Sequence, residues 1–201
     1  MSESKDSRRS QPKGDKRDRT RAKLLESARA LIREKGYEQT TLEAIAERAG
    51  MTTGAIYGNF KNRDDLFIAL GQTYWTPVVP KVKLPTNFPQ IMRAMAEATI
   101  EAIPARSTAA VGRLTGLAYA LTHPDLQSRV KQVTAESYAI GEQWLQSVTN
   151  EEDLPMPVHQ LVPVIHALTE GLVFQRLLTP ELVPDEVIRS AFAALAIKSG
   201  D

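Results

Sequence analysis

Between Met51 and Phe60 the chain reads MTTGAIYGNF, a run in which the hydroxyls of Thr52 and Thr53 stand beside Gly54, Ala55 and Gly58. Side chains this small on one side of a short helix let the backbone approach a partner closely. Where the partner is the major groove of a duplex, a threonine methyl can also touch a thymine methyl. Thr52 is placed to cap that helix, and Met51 and Ile56 have the spacing of a hydrophobic staple, with Tyr57 and Phe60 extending the apolar face. Tyr57 is expected to pack its ring inward. Just upstream, Thr40 and Glu43 have capping-box spacing, and Leu42, Ile45, Ala46 and Ala49 mark a second short helix stopped by Gly50. Two short helices joined by a Gly-containing turn are the parts of a helix-turn-helix. The helix at residues 42–49 is expected to brace the one at residues 52–60, which enters the groove N-terminus first.

The elements that must position these residues follow from periodicity. Leu24, Leu25, Ala28, Leu31 and Ile32 form one helical stripe from Thr20 to the stop at Gly36. Residues 1–19 are almost free of apolar side chains and read as a flexible basic arm, from which Arg17, Arg19 and Arg21 are placed to follow a phosphate backbone or enter a minor groove. Residues 1–63 hold 15 Lys/Arg against 9 Asp/Glu, whereas residues 64–201 hold 10 against 15. A basic front on an acidic body points to polyanion binding by the front alone, since cationic side chains release counterions condensed on phosphates.

The run TRAKLLESARALIREKGYEQTTLEAIAERAGMTTGAIYGNFKNRDDLF resembles the N-terminal domain of TetR/AcrR-type repressors. That resemblance implies phosphate contacts from Thr41, Tyr57 and Arg63, base-edge contacts from Thr52, Thr53, Gly54 and Gly58, and auxiliary contacts from the preceding arm. Arg63 stands where the family usually has Lys. Gly58 and Asn59, both counted with the DNA-binding set, stand where it often has larger or ring-bearing polar side chains.

Downstream the expected fold is all-α. A helix at residues 61–75 leads to a loop broken by Pro77, Pro80, Pro85 and Pro89. Helical stripes then run to Ile103, ending before Pro104, and over residues 110–121, 124–148, 158–178 and 184–198. The division is an arm at 1–19, a three-helix DNA-binding domain at 20–63 and a helical-bundle regulatory and dimerisation domain at 64–201. The helix at 158–178 is apolar on more than one side, so one side is expected to face its own domain and another a second copy of the chain. Val164, Ala167, Gly171, Phe174 and Leu178, with Ile188, Phe192 and Leu195, form the expected homodimer surface. Trp75, Phe88, Met92, Met95, Tyr119, Tyr138 and Trp144 are candidate lining of a small-molecule effector site, with Arg106, Arg113, His123 and His166 as polar anchors.

Other chemistries find little support. With no cysteine there is no disulfide, thiolate zinc site or cysteine nucleophile. His166 and Glu170, four residues apart, fall short of the three or four ligands a zinc site needs, so neither metal nor cofactor is expected. The three histidines come with no HExxH, GxSxG or phosphate loop, which argues against an enzyme. No stretch has the apolar h-region of a secretory signal or about 18 uncharged apolar residues, and the expectation is a cytoplasmic protein without membrane contact. The expected function is a DNA-binding transcriptional regulator, a repressor released from a palindromic operator by a small molecule. The alternative is a DNA-bound adaptor whose body binds a protein instead of a metabolite.

Overall fold

The computed structural model describes residues 13–197, with side chains from residue 16 onward. Residues 1–12 of the expected arm, and Lys198, lie outside the described residues. Every regular element among the described residues is helical: α1 Lys13–Lys35, α2 Leu42–Arg48, α3 Thr53–Tyr57, α4 Arg63–Tyr74, α5 Phe88–Ser107, α6 Ala110–Thr122, α7 Pro124–Val148, α8 Val158–Leu178 and α9 Asp185–Leu195, with a 3-10 turn at Glu151–Asp153. The chain divides into two compact units between Leu70 and Gly71, inside α4.

In the first unit the stripe Leu24, Leu25, Ala28, Leu31 and Ile32 of α1 is buried with Leu42, Ile45 and Ala46 of α2, Ile56 of α3, and Leu66 and Phe67 of α4. Helix α1 begins at Lys13, earlier than the Thr20 start read from periodicity, so residues 13–19 are helical and not part of a flexible arm. Extending an existing helix adds a hydrogen bond per residue without a new nucleus, which an apolar-stripe criterion does not register. The Thr20 hydroxyl also bonds back to the Lys16 carbonyl at 2.9 Å. Gly50, at φ +62, ends α2. The Met51 N–H reaches back to the Ala46 carbonyl and the Gly50 N–H to that of Glu47, both at 2.9 Å, the left-handed glycine stop that sets a tight turn.

The second unit has its main core where α5, α7, α8 and α9 meet. Phe88, Ile91, Met92, Met95 and Ala96 pack with Leu145, Leu161, Ile188 and Phe192. Asn87 and Gln90 form a reciprocal capping box at the start of α5. Helix α5 does not end before Pro104 but continues through it to Ser107. An interior proline costs about 3 kcal/mol, and the buried Arg106 two residues further on supplies compensation through hydrogen bonds to the Thr76 carbonyl and Glu170.

Helix α8 is long and apolar enough, by length and composition, to cross a membrane. Its composition has a local cause: Val158, Leu161 and Val173 are buried in its own unit, while Val164 and Leu178 are exposed. Glu170, in its middle, is ion-paired with two arginines of the same unit.

Ile188 and Phe192, expected at a dimer surface, are fully buried in the core of their own subunit and present nothing to a partner. Their spacing is that of an apolar face, and periodicity cannot tell which neighbour covers it. Phe192→Ala is therefore expected to cost the subunit about 3–5 kcal/mol, read by urea denaturation, with a loss independent of protein concentration. A loss that disappears at high concentration would instead place Phe192 between subunits.

Candidate functional site

Helix α3 comprises five residues and depends on its ends and underside for its shape. Thr52 is its N-cap, accepting the Ala55 N–H at 3.3 Å, and Gly58 is its C-cap. Below, Ile56 and Phe60 are buried. Outside, Thr52, Thr53, Gly54, Tyr57 and Gly58 are all exposed. A Cβ built on Gly54 would meet the Thr52 hydroxyl at 3.8 Å, an ordinary contact. The outer side of α3 is thus a low surface edged by hydroxyls, open to close approach.

Thr41 caps α2, accepting the Ala44 N–H at 3.1 Å, and its exposed hydroxyl also hydrogen-bonds the Glu43 carboxylate. The capping residue is Thr41 and not Thr40, which is buried with its hydroxyl on the Gly36 carbonyl at 2.8 Å. That shift of one residue leaves the Glu43 carboxylate available to Tyr57, whose hydroxyl donates to Oε1 at 2.8 Å. Sequence reasoning missed this role of Glu43 because it assigned the side chain to a cap. The Tyr57 ring is not packed inward but 51% exposed. Hydrogen bonds from its own backbone N–H, then from Tyr57 and Thr41, hold the Glu43 carboxyl below the usual carboxylate range, and the hydrogen bond to Glu43, then its charge, pushes the Tyr57 hydroxyl up. A phosphate arriving at Tyr57 must compete with a carboxylate already there.

Three other predicted contacts are built into the scaffold. Arg63 stacks its guanidinium 4.4 Å from the centre of the Tyr37 ring and hydrogen-bonds the Tyr37 carbonyl, turning inward from the position of a phosphate anchor. Arg21 donates to the Asn59 carbonyl at 3.0 Å and covers the Phe60 ring at 4.5 Å. Asn59 folds back on α3, donating to the Ala55 carbonyl at 2.8 Å. Buried aromatic faces attract guanidinium groups, a pull that no linear motif displays. Arg19 is exposed on α1.

In the second unit the effector candidates separate into groups. Phe88, Met92 and Met95 are buried in the main core, and Trp144 packs against it. Tyr119 stacks on His123. Trp75, Arg113, Tyr138 and His166 instead gather, with Arg106, around Glu170, which sequence reasoning considered only as a metal ligand. Its Oε1 accepts from Trp75 Nε1 at 2.6 Å and Arg106 Nη1 at 3.1 Å. Its Oε2 lies 3.5 Å from Arg113 Nη2. Tyr138 and His166 share a hydrogen bond of 2.9 Å. Burial lowers the His166 pKa, an effect Glu170 opposes and the two arginines reinforce, while burial, with Glu170, raises that of Tyr138. Both side chains are therefore held neutral.

Of the expected dimer surface, Val164, Ala167, Gly171 and Leu178 are exposed on α8, with no neighbour within 4 Å of a Cβ built on Gly171. Phe174 is half-buried, stacked on Trp75 at 5.1 Å, and Leu195 packs against its own core.

Residues 24–70 match the family described as bacterial regulatory proteins, tetR family. Over 59 residues the chain is 39% identical to the HTH-type transcriptional repressor AcnR of Corynebacterium glutamicum, a match spanning 29% of this chain and 31% of that relative's length. Among solved structures it resembles NalD, the secondary repressor of the MexAB-OprM multidrug efflux pump in Pseudomonas aeruginosa, at a TM-score of 0.60 and 24% identity over 92% of this chain and all of that one. It also resembles SmeT in complex with triclosan, at a TM-score of 0.57 and 20% identity over 90% of this chain and 93% of that one. Both structural likenesses concern the fold, helix-turn-helix first and helical body after. The likeness to the tetR family of bacterial regulatory proteins thus rests on residues 24–70, carried at the head of an all-helical fold.

Proposed function

We propose that this protein is a sequence-specific DNA-binding regulator, a cytoplasmic homodimer that occupies a palindromic operator and leaves it when a small molecule binds the second unit. The observation that carries the reading is α3: one capped turn pinned from beneath by Ile56, with Thr53, Gly54 and Gly58 facing outward. Such a turn brings backbone and hydroxyls to base edges, while Thr41 and Tyr57 flank it as phosphate donors. Two copies related by a twofold axis would place their α3 helices in successive major grooves about 34–36 Å apart. Repression is the role named for AcnR and for NalD. A bound small molecule is present in the SmeT–triclosan structure. Release requires the effector to prefer a conformation with the wrong α3 spacing, and α4, which follows the reading helix directly, is the continuous element through which that preference would act.

The exposed stripe Val164, Ala167, Gly171 and Leu178 supports dimerisation through α8, where the small residues permit close helix approach. Gly171→Trp enters open space in the free subunit, so it is expected to preserve helicity and folding while shifting the sedimenting species from dimer to monomer. A dimer unaffected by that substitution would move the interface elsewhere.

Selection of bound fragments from random duplexes tests the function directly. Enrichment of a two-half-site motif with one helical turn or a multiple between centres is expected, and absence of any enriched site contradicts it. On the selected site Thr53→Ala should change base preference, whereas Tyr57→Phe should weaken all sequences alike. Glu43→Gln removes a charge near phosphate and leaves Tyr57 only a weaker, neutral acceptor, so binding should tighten by roughly twofold to tenfold on every sequence. Unchanged or weaker binding by Glu43→Gln would show that this carboxylate lies off the phosphate path.

A further inference from the structure

The polar cluster around Glu170 is unevenly satisfied, and the imbalance identifies what it lacks. We propose that Arg113 is the anchor of a site for a small aromatic carboxylic acid. This assignment rests on the effector-sensing reading above and names the charge class of the effector.

The argument begins with hydrogen bonds. Arg106 is well provided for: Nη1 reaches Glu170 Oε1 and Nη2 reaches the Thr76 carbonyl at 2.7 Å. Its side chain is 6% exposed, and its guanidinium lies 4.7 Å from the centre of the Trp75 ring. Arg113 is differently placed. Its approach to Glu170, 3.5 Å from Nη2 to Oε2, is an ion pair longer than a good hydrogen bond, and its buried Nε has no hydrogen-bond partner among the described residues. A buried donor without an acceptor is costly, and native structures seldom leave one without a reason. The Nε and Nη2 edge of a guanidinium is the edge that grips a carboxylate with two parallel hydrogen bonds.

Charge balance points the same way. Two guanidinium groups face one carboxylate, and the other titratable side chains of the cluster, Tyr138 and His166, are neutral. One positive charge is left over in surroundings that solvate it poorly, and a single anion restores neutrality. A cationic ligand would meet two guanidiniums, and Glu170 is already engaged by Trp75 and Arg106. Apolar recognition is at hand: Trp75 and Phe174 are stacked at 5.1 Å, and Arg113 lies 6.0 Å from the centre of the Trp75 ring. Tyr138 and His166 add hydrogen bonding without further charge.

Benzoate, benzamide and benzamidine share one shape and carry charges of minus one, zero and plus one, so they isolate the claim. Calorimetric titration and thermal denaturation of the full-length protein, at constant ionic strength, are expected to show binding and a raised Tm with benzoate and neither with benzamidine. Arg113→Gln should weaken benzoate by at least roughly tenfold, and Arg113→Lys, which keeps the charge but loses the paired donors, should weaken it too. Circular dichroism verifies that both variants fold. Arg189→Gln, which alters an exposed arginine paired with Glu97, should leave benzoate binding unchanged. Equal or preferential binding of benzamide or benzamidine overturns the assignment while leaving small-molecule sensing intact. Benzoate binding that survives Arg113→Gln overturns it by placing the ligand elsewhere. Failure of all three compounds also overturns it, and the duplex selection, which uses no ligand, still judges the regulatory reading by itself.

Discussion

The burial of Ile56 and Phe60 under α3 is the interaction on which the surface proposed to meet DNA rests, because a five-residue helix in water does not repay the cost of nucleating itself. The Thr52 cap, the glycine stop before Met51 and the Arg21 hydrogen bond to Asn59 then fix where that turn begins, how it is entered and how it is left. A surface built this way can be low and nearly bare, since its outward residues contribute little to holding it in place. Thr53, Gly54 and Gly58 are thereby free to serve contact with another molecule.

The same economy explains why several basic residues near α3 face inward. Arg21 over Phe60 and Arg63 over Tyr37 use their cations to close the small core from the side, where a guanidinium on an aromatic face is more favourable than in open solvent. The surface proposed to face a duplex is thus less cationic than the linear sequence implies, and Glu43 beside Tyr57 reduces it further.

Much of the fold was legible in the sequence because helix periods, caps and glycine stops are local. The α1 stripe, the helix-turn-helix pair and the helices from α5 to α9 fall close to where apolar spacing puts them. The departures have nonlocal causes. Helix α5 passes through Pro104 because Arg106 finds buried partners contributed by residues far along the chain. Thr41 displaces Thr40 as the cap because Thr40 is drawn into the core. Aromatic residues grouped as one expected lining divide between a solid core and the Glu170 cluster, since composition does not report which side of a helix meets which neighbour. From sequence Glu170 is weighed only as a metal ligand, for a related reason: its partners, Trp75, Arg106 and Arg113, are 57 to 95 residues away in sequence.

The account stands or falls on α3 meeting a duplex through its outward side. Equilibrium binding of the full-length protein to its selected site and to a scrambled duplex of equal length, measured from 50 to about 200 mM salt, is the most direct measurement. The prediction is that affinity for both falls steeply with salt while the selected site keeps an advantage of about a thousandfold or more. Equal affinity for the two duplexes, or attachment indifferent to salt, would contradict it.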